Sequence, residues 1–286
     1  MGEKDISEKN FEDYEDVFAD IVNVLLFKGR RLMKENELET ATIKSMIKID
    51  GKIHEQERDV AKFWKNGEVR ISILGFENQT APDKLMPLRI MGYDGASYKK
   101  QVNDTNLKKK YPVVTLVLYF GTDTRWNEPK NLLSCFEIPN ELSPFVSDYK
   151  INVFEIAWLD DKTINMFQSD FKFVAKYFQS KRLNKDYVPT NEELKHADEL
   201  MKLFTALTGD SSFEDVYNSN LKNKKGGVTM CDVVERIENK GRLAEKEEII
   251  KNLIESNAGS IEQIAAWVKL SVDEVQKIAN KVPVVG

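Results

Sequence analysis

Residues Glu57 to Gln79, ERDVAKFWKNGEVRISILGFENQ, decide how the rest of the chain is read. They form two short apolar runs around Asn66-Gly67, the pattern of a β-hairpin. Asp59 opens the first run, and Glu77 and Gln79 close the second, so a hairpin gathers two carboxylates and an amide at one end of a sheet. A hard divalent cation takes such oxygen ligands and lowers the pKa of a bound water. Side chains alternate along a strand, so Ile71, Ile73, Gly75, Glu77 and Gln79 share one face, and Ser72, Leu74, Phe76 and Asn78 the other. A two-residue turn at Asn66-Gly67 pairs Lys65 with Glu68 and sets Asp59 opposite Leu74, on the wrong face. An odd loop or a bulge, for example Asn66 to Glu68 as a three-residue turn with Lys65 opposite Val69, brings Asp59 onto the face of Glu77. The chemistry therefore predicts the odd register.

Working outward toward the N-terminus, Phe11, Tyr14, Phe18, Ile21, Val22, Leu25 and Leu26 recur at spacings of three and four, which predicts an amphipathic helix over 10–35. Asp13, Asp16 and Asp20 lie on its far face, either as a solvated acidic surface or with one carboxylate reaching a metal. Leu38 to Gly51 reads as a short helix or a first strand, with a strand favoured at its end. Beyond Gln79, Ala81-Pro82-Asp83 opens a helix to about Val102, with Leu85, Leu88, Gly92 and Ala96 as its inner face. Its two glycines make it a weak helix former that needs tertiary packing. Arg89, Lys99 and Lys100, followed by Lys108, Lys109 and Lys110, form the most basic region near the carboxylate site, either a solvated helix end or a phosphate contact.

Tyr111 to Phe120, YPVVTLVLYF, is a nearly continuous β-branched and aromatic run, as expected of a central strand covered on both faces. Ile151 to Leu159 predicts another strand, and 160–180 a helix with the stripe Ile164, Phe167, Phe171, Val174 and Phe178. Buried strands alternating with helices indicate an α/β class. Composition shifts at Arg182 to Thr190, which places a domain boundary at 185/186. Beyond it the chain reads as all-α, with helices at 191–207 and 228–254, the second charged and preceded by a Gly226-Gly227 hinge. Ser260-Ile-Glu-Gln263 and Ser271-Val-Asp-Glu274 are capping boxes, opening a helix-turn-helix-like pair over 260–281 packed through Ile261, Ile264, Ala265, Leu270, Val275 and Ile278. Asp273 and Glu274 at the start of its second helix would repel phosphate, which disfavours base readout there.

The 286 residues suffice for about two domains, and 41% hydrophobic with 31% charged residues describe a packed, soluble chain. Cys135 and Cys231 stand in unrelated contexts, so neither a disulfide framework nor a thiolate site is indicated, and a reducing cytoplasm fits. The acidic start, MGEKDISEKNFEDYED, lacks the apolar core of a signal peptide, and the longest apolar run, Val113 to Phe120, is too short to span a bilayer. The net charge of −5 weighs mildly against broad nucleic-acid binding, although clustered lysines supply a basic surface locally. No Gly-rich phosphate loop or zinc spacing is present. The two histidines, His54 and His196, fit solvent-exposed structural roles.

In order and wording, FADIVNVLLFKG, ERDV, GFENQT, MPLRIMGYD and YPVVTLVLYFG resemble the Rpn-type family, the recombination-promoting nucleases and putative transposases of bacteria within the PD-(D/E)XK nuclease superfamily. The likeness spans roughly Phe11 to Leu159. It implies a PD-(D/E)XK nuclease-like domain over 1–185, with a mixed central sheet flanked by helices, DNA as substrate, and Mg²⁺, Mn²⁺ or Ca²⁺ as cofactor. It also implies that Asp59 and Glu77 are the motif acids, that Gln79 takes the place of the superfamily's lysine, and that Asp20 is the first-helix acid, with Glu15 and Asp16 as rivals. Glutamine orients water through its amide but carries no charge, so more rests on the metal. The expected function is a metal-dependent DNA endonuclease, with Arg89, Lys99 and Lys100 on the nucleic acid and a possible homodimer through the C-terminal helices. The alternative is a nuclease fold that has lost activity and serves as a DNA-binding or regulatory module.

Overall fold

A computed structural model describes residues 11–41, 44–49, 52–57, 60–74 and 82–280. A first helix, α1 (Glu15–Leu25), buries Val17, Phe18, Ile21 and Val22. It is shorter than its periodicity predicts. Lys28 (φ 55°) and Gly29 (φ 83°) turn left-handed, and the Gly29 N–H donates to Asn23 O at 2.9 Å, closing the helix with backbone that only glycine adopts at little cost. The strands β1 (Leu38–Thr40), β2 (Lys44–Ile49) and β3 (Lys52–Glu57) follow, the last two pairing with each other as a separate antiparallel hairpin.

The central hairpin is formed by β4 (Val60–Trp64) and β5 (Val69–Leu74). Its ladder runs from Val60↔Ile73 to Trp64↔Val69. This is the even register, in which Lys65 lies opposite Glu68, and it corrects the odd, three-residue turn expected from the chemistry. The cause is tertiary. Glu37 accepts the Lys65 N–H at its carbonyl (3.0 Å) and the Trp64 indole N–H at its carboxylate (2.9 Å), fixing where the strand ends. The Trp64 ring then lies over Gly67, where a Cβ would fall 2.2 Å from it. The four residues Lys65 to Glu68 close with Glu68 N–H donating to Lys65 O at 3.2 Å, and Glu68, not Gly67, takes the positive φ of 49°.

After α2 (Met86–Asn103) comes β6 (Val113–Tyr119), then β7 (Asn152–Glu155). The sheet order is β1-β4-β5-β6-β7, with β5-β6 and β6-β7 parallel and the rest antiparallel, so the class is mixed α/β. The expectation for β6 holds: it is flanked on both sides and buried through Leu116 to Tyr119. The inner face of α2 is corrected to Met86, Ile90, Tyr93, Ser97 and Gln101, while Leu85 is exposed. The predicted helix over 160–180 is two helices, α3 (Asp161–Ile164) and α4 (Phe171–Arg182), separated by a turn, although all five residues of the predicted stripe are buried.

Beyond residue 186 lie α5 (Ala197–Thr208), α6 (Ser212–Val216), α7 (Met230–Glu255), α8 (Ile261–Val268) and α9 (Val272–Ala279). The main core runs without interruption from Phe11 through Leu200, Phe204 and Phe213 to Val233, across the compositional shift at 182–190. Directly after Gly226-Gly227, Leu194 N–H donates to Val228 O at 2.8 Å, and Glu193 bridges to Thr229. Thr229 caps α7, which carries the chain from this core to a second, small one built from Ile250, Ile264, Ala265, Val275 and Ile278. Both predicted capping boxes form, at Ser260 and Ser271. Among the described residues no helix is long and apolar enough to cross a membrane.

Candidate functional site

Asp59, Glu77 and Gln79 lie outside the described residues. The hairpin that leads to them is described up to Val60 on one strand and Leu74 on the other, and these positions sit at the same end of the ladder. The side chain of His54, in β3, is likewise outside the described set.

The first-helix acids are all described. Asp20 is buried, and its carboxylate is heavily occupied. Its Oδ2 accepts from Gln168 N (2.8 Å), Ser169 N (2.8 Å) and Ser169 Oγ (2.7 Å), and its Oδ1 pairs with Arg31. Arg31 also donates to Met166 O. A carboxylate offers about four acceptor sites, so a hard cation at Oδ1 has to displace Arg31. This clamp explains the break between α3 and α4: the turn over 165–170 frees backbone N–H groups, and Asp20 satisfies two of them. Asp16 accepts from His196 Nε2 at 2.9 Å and lies 3.7 Å from Lys195 Nζ, while the His196 ring stacks on Tyr14 at 3.7 Å. The His196 side chain is only 16% exposed, which corrects the expectation that it faces solvent. Asp13 and Glu15 both pair with Lys62 of β4, whose side chain is 1% exposed. Asp16, Asp20, Asn23, Arg31, Lys34 and Lys195 line a polar cavity of about 460 Å³ beside α1.

Sequence reasoning missed Glu12. It is wholly buried in the helical turn before α1, and it takes part in interactions of its own. Its i, i+4 and i+8 spacing with Asp16 and Asp20 is that of a helix, but the chain is extended at Tyr14 (ψ 128°), so Glu12 does not continue the stripe of α1. Asp170 was also missed. Burial raises its pKa, and the backbone N–H of His196, which bonds Oδ2 at 2.7 Å, opposes that rise. Among the described residues, no group of three or more His, Cys, Asp or Glu side chains could hold a metal ion.

The predicted nucleic-acid residues are not gathered in one place. Arg89, in the first turn of α2, pairs with Asp83 at 3.1 Å. Lys99 and Lys100 are ten or more residues further on, about 15 Å along the axis at the rise of an α-helix. Gln101 exchanges hydrogen bonds with the Tyr111 backbone (3.0 and 2.9 Å), and Arg70 N–H donates to Pro112 O (3.0 Å). The end of α2 with Lys99 and Lys100 therefore sits at the turn end of the hairpin, the far end from Val60 and Leu74. Lys109 pairs with Glu68 there, and Lys110 caps the end of α2 through the carbonyls of Gln101, Asp104 and Leu107.

No curated protein and no solved structure matches the chain. Residues 30–207, more than half of it, match the family described as putative transposase, YhgA-like. The chain therefore belongs to the YhgA-like putative transposase family, the Rpn-type group that its motifs resemble.

Proposed function

We propose that the chain is a metal-dependent DNA endonuclease of the PD-(D/E)XK type, acting in the cytoplasm. The observation that carries this reading is the family match, because the matched segment contains Asp59, Glu77, Gln79 and Arg89 in motif order. The sheet adds support: the strand following Asp59 and the strand preceding Glu77 are antiparallel neighbours whose ends meet at Val60 and Ile73. In this reading Asp59 and Glu77 hold Mg²⁺ or a similar ion, and Gln79 orients the attacking water through its side-chain amide. The ion supplies charge stabilisation at the phosphate and a water of lowered pKa. Because the ladder keeps the even register through Val60, the reading requires a change of parity outside the described residues. A first-helix acid joins the pair: Asp20 after exchange of Arg31, with Glu15 and Asp16 as rivals.

A second reading, a nuclease fold retained as a DNA-binding or regulatory module, draws on two observations: the even register and the full engagement of Asp20. Calorimetric titration of Mn²⁺ separates the two. Saturable binding that is lost in Asp59→Ala and in Glu77→Ala supports the endonuclease, whereas no binding to the parent chain supports the module.

A further inference from the structure

A basic stretch of surface lies at the turn end of the hairpin, at the far end of the ladder from Val60 and Ile73, and it contains aromatic rings. Phe63 of β4 meets Tyr111, which leads into β6, edge to face with ring centroids 4.9 Å apart. A cavity of about 390 Å³ is lined by these two rings with Glu68, Leu107, Lys109 and Lys110. A second, of about 230 Å³, shares Phe63, Leu107 and Tyr111 and adds Arg70, Lys100 and Gln101 to its wall. Arg70 is 5% exposed and lies at the start of β5. Burial lowers its pKa, with Tyr111 and Asp94 opposing, and a guanidinium keeps its charge at neutral pH even so.

The walls of the two cavities carry Arg70, Lys100, Lys109 and Lys110 beside Glu39, Glu68 and Asp104, and Asp94 is close enough to act on Arg70. Two of these acids are matched at short range, Glu39 by Lys65 at 2.9 Å and Glu68 by Lys109. Asp94 accepts from Thr115 Oγ1 (2.7 Å) and Tyr149 OH (2.5 Å), and Asp104 from Asn106 N (3.0 Å). An aromatic platform with cations on both sides suits a nucleic-acid strand whose bases are exposed, because each base has a face to stack and each phosphate a charge to neutralise.

We propose that this cleft binds an unpaired stretch of a nucleic-acid strand, with a base stacked on Tyr111 beside Phe63 and the flanking phosphates on Arg70, Lys100 and Lys109. The proposal rests on nucleic acid being the partner of the chain, and it adds a holding site at the end of the sheet opposite the cleavage site. Such a site would fix a strand some distance from the bond to be cut.

The test is fluorescence anisotropy of the full chain with a labelled oligothymidylate of about 15 nucleotides, with EDTA present to prevent cleavage. The expected result is that Tyr111→Leu weakens binding about tenfold, the loss of one stacked base, while Tyr111→Phe binds as the parent does. Lys100→Gln and Lys109→Gln each lower the slope of log affinity against log salt by about 0.7. Circular dichroism melts establish that each variant is folded. Parental affinity in Tyr111→Leu, or an equal loss in Tyr111→Phe, overturns the proposal. Plasmid cleavage keeps the two readings separate. If strand binding depends on Tyr111 and no cleavage occurs, the cleft stands and the endonuclease falls; if cleavage occurs and binding ignores Tyr111, the reverse holds.

Discussion

At the residue scale, Asp20 illustrates how a side chain's role depends on donors far away in sequence. Its carboxylate collects three hydrogen bonds from Gln168 and Ser169, nearly 150 positions along the chain, and one from Arg31. Asp20→Ala leaves buried N–H groups without an acceptor and Arg31 without its partner, at a cost of about 3 kcal/mol in urea unfolding. A loss below about 1 kcal/mol would show that the clamp does little for stability. Position on a helical face marked Asp20 as a residue of interest, but those donors could not be read from its neighbours in the chain. Asp170 provides a pH test. Burial raises its pKa, so the folded state holds its proton more tightly than the unfolded state does. Stability attributable to that proton is present at low pH and is lost as pH rises from the ordinary carboxylate range through the raised value. Asp170→Asn, whose amide oxygen can still accept the His196 N–H, should therefore gain stability relative to the parent between about pH 4 and 7. A constant difference across that range would contradict the linkage.

At the scale of the element, local signals were read correctly and tertiary ones were not. The capping boxes at Ser260 and Ser271 form because hydroxyl, backbone and acid or amide lie within four consecutive residues. Ser271→Ala should cost about 1 kcal/mol of helix stability, seen as faster amide exchange in the first turn of α9; unchanged exchange would mean that the cap is idle. The strands β4, β5 and β6 were likewise legible from their apolar runs. The register was not, because Glu37 and the Trp64 ring set it from outside the turn. Gly67→Ala drives a methyl into that ring and should cost about 1–3 kcal/mol in chemical denaturation, whereas a neutral result would mean that the ring moves aside freely. The face of α2 was misassigned for a related reason. A helix with Pro87, Gly92 and Gly95 carries a weak periodic signal, and its burial is set by the packing of Met86, Ile90 and Tyr93 against β6 and β7 residues.

At the scale of the whole molecule, the mixed α/β class and the all-α C-terminal region were legible, while the continuity of the core was not. Composition changes at residue 182, but Tyr177 packs on Phe204 and Phe213, so the helices beyond 186 complete the core of the sheet domain. Each large apolar side chain buried there contributes about 1.5–3 kcal/mol. A chain ended at Asp186 should therefore fail to fold cooperatively, whereas one ended near Lys240 should keep a sigmoidal melt. A folded 1–186 fragment would contradict the shared core. The family match spans Asp59 and Glu77, and these positions were legible only through the family resemblance, since the hydrogen bonding around α1 emerges from packing between distant segments. The most direct measurement of function is supercoiled plasmid cleavage by the purified chain in Mg²⁺ or Mn²⁺, with Glu77→Ala alongside. Nicking by the parent that is lost in Glu77→Ala is the predicted result. Equal activity in both chains, or none in the parent with either metal, would contradict the assignment of this molecule as a metal-dependent endonuclease.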